Sequence, residues 1–362
     1  MADLDRLLIR YRQFGGLRLA AAYIRMGLLF PILKALVRCT LRGTSYKSVY
    51  GVVRQRVCPL LVRRYSPLID RLAARYSVSP AASPATTPPA SSASPAVVWF
   101  CWLQGMASAP PLVHACLRSL RRSLAGTAVV VIDENNYTRH VTLPAHVTER
   151  YAAGKIPPAL FSDMLRLQLL ATHGGVWIDS TVYCTMPDTA TRGRFAPSWQ
   201  QILAAPLFLF QYTRPGEAPT GNISNWFIAS HPRHPLILIL RDVLFSYWAD
   251  HDITLDYYIF HLFFRHICLR YPHLVGTMPY GWSEPCLELG SHLSETFSAA
   301  RWQRFTSRVH WHKMTYRLKP SVTSPPGTYY QHLISPSRPE GSVCAGKPGD
   351  VPPNDGERPS DS

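Results

Sequence analysis

The stretch LFSDMLRLQLLATHGGVWIDSTVYCT, residues 160–185, constrains this chain more than any other. Its pattern predicts a helix over 159–173, a stop at Gly174 and Gly175, and a buried strand that delivers Asp179 at its C-terminal end. Asp163 and Arg166 are three apart and share a face of the helix's first turn. A carboxylate and a guanidinium at a helix start, beside a second carboxylate at a strand end, make a plausible polar site on an apolar scaffold. The same residues fit an Asp complementing the helix dipole, an Arg pairing with it, and a loop Asp. Local geometry does not separate the two.

The rest of the chain supplies a scaffold for either. With 362 residues, 47% hydrophobic and 11% aromatic, there is material for a sizeable core, in one large domain or two small ones. The net charge of +16 is unevenly spread. Residues 1–76 carry 15 Lys and Arg against Asp3, Asp5 and Asp70, a net +12. Such a segment favours an acidic partner: anionic lipid, nucleic acid or a polyanionic glycan. No nucleic-acid-binding module accompanies the charge, so no nucleic-acid partner is expected.

Residues 4–42 suggest basic amphipathic helices, able to lie in a membrane interface or to pack on the body of the protein. The apolar pieces LAAAYI and MGLLFPIL are broken by Arg25, Lys34 and Arg38, short of the roughly 20 residues a span needs. With no clear signal peptide either, the expected location is the cytoplasm or the periphery of a membrane, with anionic-membrane contact through residues 1–76. The eight cysteines form no CxxC pair, and several lie in apolar runs, which argues against structural zinc and a disulfide framework.

Four regions follow. Residues 1–76 form the basic helical segment, and 77–96, rich in Pro, Ser and Ala, a linker. Residues 97–318 form the main domain, and 319–362 an extended or disordered C-terminal tail. Within the main domain, VVWFCWL (97–103) and TAVVVID (127–133) are buried strands around a helix opened by Pro110 and Pro111. A helix over 144–153, the 159–173 helix and the strand VWIDSTV come next. PLFLFQ (206–211) and NWFIAS (225–230) are further strands, and 235–248 and 255–270 helices. Continuously apolar strands alternating with helices imply an α/β domain with a mostly parallel central sheet.

Ligands of open α/β sheets bind at the carboxyl ends of the strands, where Asp179 falls. Asp179 with Thr181 two residues on offers a divalent cation one anionic and one hydroxyl oxygen. Mg²⁺ or Mn²⁺ accepts that when a substrate phosphate completes the shell.

FSDMLRLQLLATHGGVWIDST resembles the signature of the capsular polysaccharide synthesis proteins, which are close to the DXD-containing glycosyltransferases of family 32. VVWFCWLQGMASAPPLVHACLRSLRR, ISNWFIASHPRHPLILILRDVLFSYW, DYYIFHLFF and HWHKMTYRL resemble later and earlier parts of the same pattern, in order, over roughly 97–318. The resemblance implies a GT-A-like nucleotide-sugar-binding domain. It implies transfer from a nucleotide-sugar, expected to be a UDP-sugar, to a polysaccharide or glycolipid acceptor, with retention of configuration. Carried over, Asp163, Arg166 and Asp179 would be catalytic, and Trp102, Asp163, Arg166 and Lys313 would bind the donor. Asp179, Thr181 and His312 would hold Mn²⁺ or Mg²⁺, with Thr181 standing where many relatives have a second Asp. Asn225 and Trp226 would line the acceptor side, unless Trp226 packs in the core, the reading its strand position favours. The alternative is a non-catalytic, basic glycan- or membrane-binding protein on a decayed transferase scaffold.

Overall fold

Apolar β-branched and aromatic runs build the central sheet of the computed structural model, which describes residues 9, 11–43, 47–78, 97–215, 217 and 221–335. Its strands are β1 (Val97–Cys101), β2 (Ala128–Ile132), β3 (Gly175–Asp179), β5 (Leu207–Gln211) and β6 (Ile223–Ser230), in the order β2-β1-β3-β6-β5. β1 is parallel to β2 and β3, whereas β6 runs antiparallel to both β3 and β5. Four strands therefore point one way and β6 the other, a mixed α/β sheet that is mostly parallel.

Alternation along the strands feeds two cores. Trp99, Cys101 and Trp177 face one, while Val98, Phe100, Val176 and Ile178 face the other. Burial on both faces is why the strands read as unbroken apolar runs. The first core is covered by α6 (Pro158–His173), α8 (Pro235–Asp250) and α9 (Ile259–Arg270). The second is covered by α4 (Pro111–Ser123), α7 (Trp199–Ala204), α10 (Glu284–Ser291) and α11 (Ala299–Arg308). A short helix, α5 (Ala145–Ala152), precedes α6.

The expected strand VWIDSTV is two strands. The chain turns at Ser180 and Thr181, and β4 (Val182–Cys184) leaves the main sheet to pair antiparallel with β7 (Trp311–Lys313). The polar run Asp179-Ser180-Thr181 marks the break in the sequence, but nothing local tells which strand β4 pairs with.

The N-terminal helices are α1 (Leu17–Arg25), α2 (Leu29–Arg42) and the 29-residue α3 (Lys47–Arg75). Val53, Val57, Leu61, Tyr65, Ile69 and Leu72 form a buried stripe on α3 at near i, i+4 spacing, joined to the core under α8 and α9. Arg18, Arg54 and Arg64 pair with Asp252, Asp256 and Asp250, and Asp70 pairs with Arg270. Part of the segment's positive charge is thus neutralised by the rest of the protein. The expected linker, 77–96, lies outside the described residues except for Ser77 and Val78.

The C-terminal reading needs correction. Instead of an extended tail from 319, α12 (Pro320–Thr323) and α13 (Tyr329–Ile334) are folded, and Tyr329, Tyr330 and Leu333 are buried in the second core. Pro and Gly there mark tight turns between short helices rather than loss of structure. Residues 336–362 lie outside the described part.

Candidate active site

Parallel register sets the site. Cys101 lies opposite Asp179 on one side and Ile132 on the other, so β1, β2 and β3 end level. Trp102, Asp133 and Asp179 consequently share the carboxyl edge of the sheet, where α/β folds bind ligands. Gly174 and Gly175 let the chain turn out of α6 into β3 hard against β1 and the end of β6. Gly175 has φ +91°, and a Cβ there would sit 2.5 Å from the Val97 carbonyl oxygen.

Asp179 follows Trp177 by two residues and so points to the same side of the sheet, toward α6. The Trp177 indole Nε1 donates to Asp179 Oδ1 at 2.9 Å. From α6, Arg166 brings Nη2 to 3.6 Å of Asp179 Oδ1 and 3.3 Å of Asp163 Oδ1. Its guanidinium also donates to the Asn225 backbone carbonyl and lies 4.8 Å from the centre of the Trp177 ring. Asn225 Nδ2 donates to Asp163 Oδ1 at 2.9 Å. From β7, Lys313 Nζ donates to Asp179 Oδ2 at 2.9 Å and to Thr181 Oγ1 at 2.6 Å.

The four charged groups form two ranks. The side chains of Asp163 and Arg166 are 10% and 6% exposed, whereas those of Asp179 and Lys313 are 24% and 22% exposed. Asp179 and Lys313 present the open face; Asp163 and Arg166 stand behind and orient it. Two cations balance two anions. Burial pushes Asp163 up to about 6 against the pull of Arg166, while Asp179 adds to the rise. Burial would raise Asp179 too, yet Lys313 and then Arg166 hold it below the ordinary carboxylate range.

The expected metal ligands divide. Asp179 and Thr181 converge on one cationic point, occupied by the Lys313 ammonium, so this pair suits a cation. His312 does not join them. Adjacent to Lys313 on a strand, it faces the other way, fully buried, with its Nε2 2.9 Å from Thr185 Oγ1. Burial, with His310 nearby, pushes the imidazole down to about 3. Among the described residues no group of three His, Cys, Asp or Glu is arranged to hold a metal.

Trp102, just past β1, is half-buried and meets Tyr316 edge-on, ring centres 5.0 Å apart. Its indole nitrogen has no partner. Asn225 sits within the charged cluster, and Trp226 is core, stacked on Phe210. Sequence reasoning missed Trp177 as the donor to Asp179, although alternation along GVWID puts the two on one face. It also missed Asp133, which follows an apolar strand and lies one residue past the end of β2.

Residues 73–333 match the family described as capsular polysaccharide synthesis protein. Among solved structures, the PaToxG glycosyltransferase is similar at 14% identity and a TM-score of 0.33, covering 80% of this chain and 97% of that chain. At that score the likeness carries no argument about the site. No curated protein matches the sequence. The family match spans most of the chain and takes in β1, α6, β3 and β7, the elements that meet at Asp179; the chain belongs to the capsular polysaccharide synthesis protein family.

Proposed function

We propose that the protein is a glycosyltransferase that moves a sugar from a nucleotide-sugar donor, a UDP-sugar, to a polysaccharide or glycolipid acceptor on a GT-A-like domain. The observation that carries this reading is the Asp179 carboxylate at a strand end, gripped by Lys313 in front and Arg166 behind. Glycosyl transfer breaks the bond between the anomeric carbon and the β-phosphate oxygen and leaves a nucleoside diphosphate with added negative charge. A preorganised ammonium at that point stabilises the developing charge with little reorganisation. Lys313 is the group for this role, and Asp179 keeps it aimed.

Asp163 and Arg166 act behind it. The buried Asp163, fixed by Asn225 and Arg166, would orient a sugar hydroxyl, and Arg166 would add charge toward the diphosphate. Trp102 offers a ring at the sheet edge for the base. Neither carboxylate is unencumbered: Asp163 is held by Arg166 and Asn225, and Asp179 by Lys313 and Trp177. That supports attack by the acceptor on the face the leaving group departs from, with retention, over a covalent glycosyl intermediate.

The cation, Mn²⁺ or Mg²⁺, would be held by Asp179 and Thr181 once the donor's diphosphate draws the Lys313 ammonium off these two oxygens, the diphosphate supplying the ligands the protein lacks. When bound, it would add positive charge beside the leaving group. His312 has a structural role in this account.

We also propose that the N-terminal helices bring the enzyme to an anionic membrane surface. Among the described residues no single helix is long and apolar enough to cross a membrane, and the α1–α2 pair reaches that length only across a 113° bend.

One observation favours a non-catalytic reading: Lys313 already satisfies the two oxygens offered to a cation. A donor screen separates the readings. Nucleotide release from UDP- and GDP-sugars, with and without Mn²⁺, should give metal-stimulated turnover of a UDP-sugar. No release from any donor, and no UDP binding by calorimetry, would favour the binding protein.

A further inference from the structure

Between the N-terminal helices and the segment 255–257 lies an apolar cavity of about 320 Å³. Phe14, Leu19, Leu36, Val53 and Leu255 line it, together with Arg54, Asp256 and Tyr257. Ile24, Leu29 and Leu33 line it as well and are exposed, so they form a rim shared with the outer surface.

That surface has a definite pattern. On α2, Phe30, Leu33, Val37 and Leu41 make an exposed stripe, and Lys34, Arg38 and Arg42 run beside it at i, i+4 spacing. On α1, Leu17 and Ile24 are exposed beside Arg18 and Arg25. Leu17, Phe30 and Leu41 are 85%, 80% and 81% exposed, far more than isolated surface apolar residues require. Residues 11–43 hold six Lys and Arg and no carboxylate. Apolar side chains that dip and cations that stay at headgroup level suit an anionic lipid surface. Leu33 belongs both to this stripe and to the cavity lining.

Polar residues of the cavity lining are linked to the charged site through shared neighbours. Arg54 Nε donates to Asp256 Oδ2 at 2.9 Å. On α9, the ring of His261 lies within electrostatic reach of both Arg54 and Arg166. Tyr257 lies in the same reach of Arg317, whose neighbour Tyr316 packs on Trp102.

We propose that this cavity binds the hydrocarbon chain of an amphipathic acceptor, taken sideways from the bilayer on which α1 and α2 lie, with the acceptor's polar end toward Asp179 and Lys313. The acceptor class is thereby a lipid-linked sugar or glycolipid rather than a free soluble glycan. This assignment of substrate class rests on the transferase reading, whereas the chain-binding cavity does not depend on it.

The test uses the full-length protein, a dansyl-labelled fatty acid as the cavity probe, and UDP binding by calorimetry in parallel. The wild type should enhance the probe's fluorescence saturably. Ala20→Phe, which fills the cavity, should weaken probe binding at least about tenfold, the loss expected when roughly two methylenes are kept out. Leu33→Phe at the rim serves as a second filling variant, with UDP binding and thermal unfolding checking the fold of both. A Phe30→Ser, Leu41→Ser double variant should keep probe binding but lose sedimentation with phosphatidylglycerol vesicles. Probe binding without UDP binding would sink the transferase reading and leave the cavity standing. A wild type that does not bind the probe, or folded filling variants that bind it unchanged, would overturn the inference.

Discussion

The Lys313 ammonium lies 2.9 Å from Asp179 Oδ2, although the two residues are 134 positions apart in the chain. The contact arises because β4 breaks away from β3 and pairs with β7, setting Val182 opposite Lys313. Lys313→Ala should lower kcat by roughly 10²-fold, the order seen when one donor to a developing oxyanion is removed. Lys313→Arg should restore part of it. Steady-state kinetics on the donor found by the screen checks this, with KM separating lost binding from lost catalysis.

Asp163 and Asp179 should respond to pH in opposite senses. Burial holds Asp163 near 6, so an acidic limb in kcat/KM is expected around pH 6, and Asp163→Asn should abolish that limb along with most of the activity. For stability, a raised carboxyl pKa means the folded state keeps a proton the unfolded chain gives up. That stabilisation is present in acid and lost as pH rises through about 6. Asp179 is lowered, so its contribution is present at neutral pH and lost as pH falls below the ordinary carboxylate range. Urea unfolding across pH, with each Asn variant, resolves the two.

Arg166 holds both carboxylates at once. Arg166→Ala leaves the buried Asp163 without its cation and should destabilise the fold by about 3–5 kcal/mol at neutral pH. The same variant with Asp163→Asn should recover much of the loss. Thermal unfolding of the single and double variants is the measurement, and simple additivity would contradict a coupled pair.

Glycine at 175 is required by space as well as conformation. Gly175→Ala meets the Val97 carbonyl at 2.5 Å with φ +91°, and should cost more than the roughly 1–3 kcal/mol of backbone strain alone. Gly126, at φ +88° with nothing within 4 Å of an added Cβ, is the control that isolates the strain. Chemical denaturation of the two Ala variants should rank Gly175→Ala well below Gly126→Ala.

With Lys313 on Asp179 and Thr181, the apoprotein should show no measurable Mn²⁺ binding by calorimetry. UDP should confer it. Metal binding of equal strength with and without UDP would mean that the protein carries a preformed site, contrary to the arrangement of these residues.

The fold's central part was readable because β1, β3, β5 and β6 are buried on both faces, and because α4, α6 and α8 begin at a Pro and α6 stops at a Gly. That Asp163 and Arg166 share a helix face near the strand end carrying Asp179 followed from local spacing, whereas their reading as one site came from the resemblance. Lys313 was reached only through resemblance, because its partner lies 134 residues away and the β4–β7 pairing that joins them is specified by no local pattern. His312 shows the limit of motif transfer: its neighbour points into the site, so strand alternation turns it into the core. The folded helices after residue 319 were missed because short Pro-opened helices look like loops until Tyr329 and Tyr330 find a core to bury in.

The most direct measurement is nucleotide release from the UDP-sugar substrate by the wild type and by Asp179→Ala, each with its fold verified by circular dichroism. The account predicts metal-stimulated turnover by the wild type and loss of at least about 10²-fold in the variant, since both the aimed ammonium and the cation's one carboxylate go with Asp179. Undiminished turnover by a folded Asp179→Ala protein would contradict it.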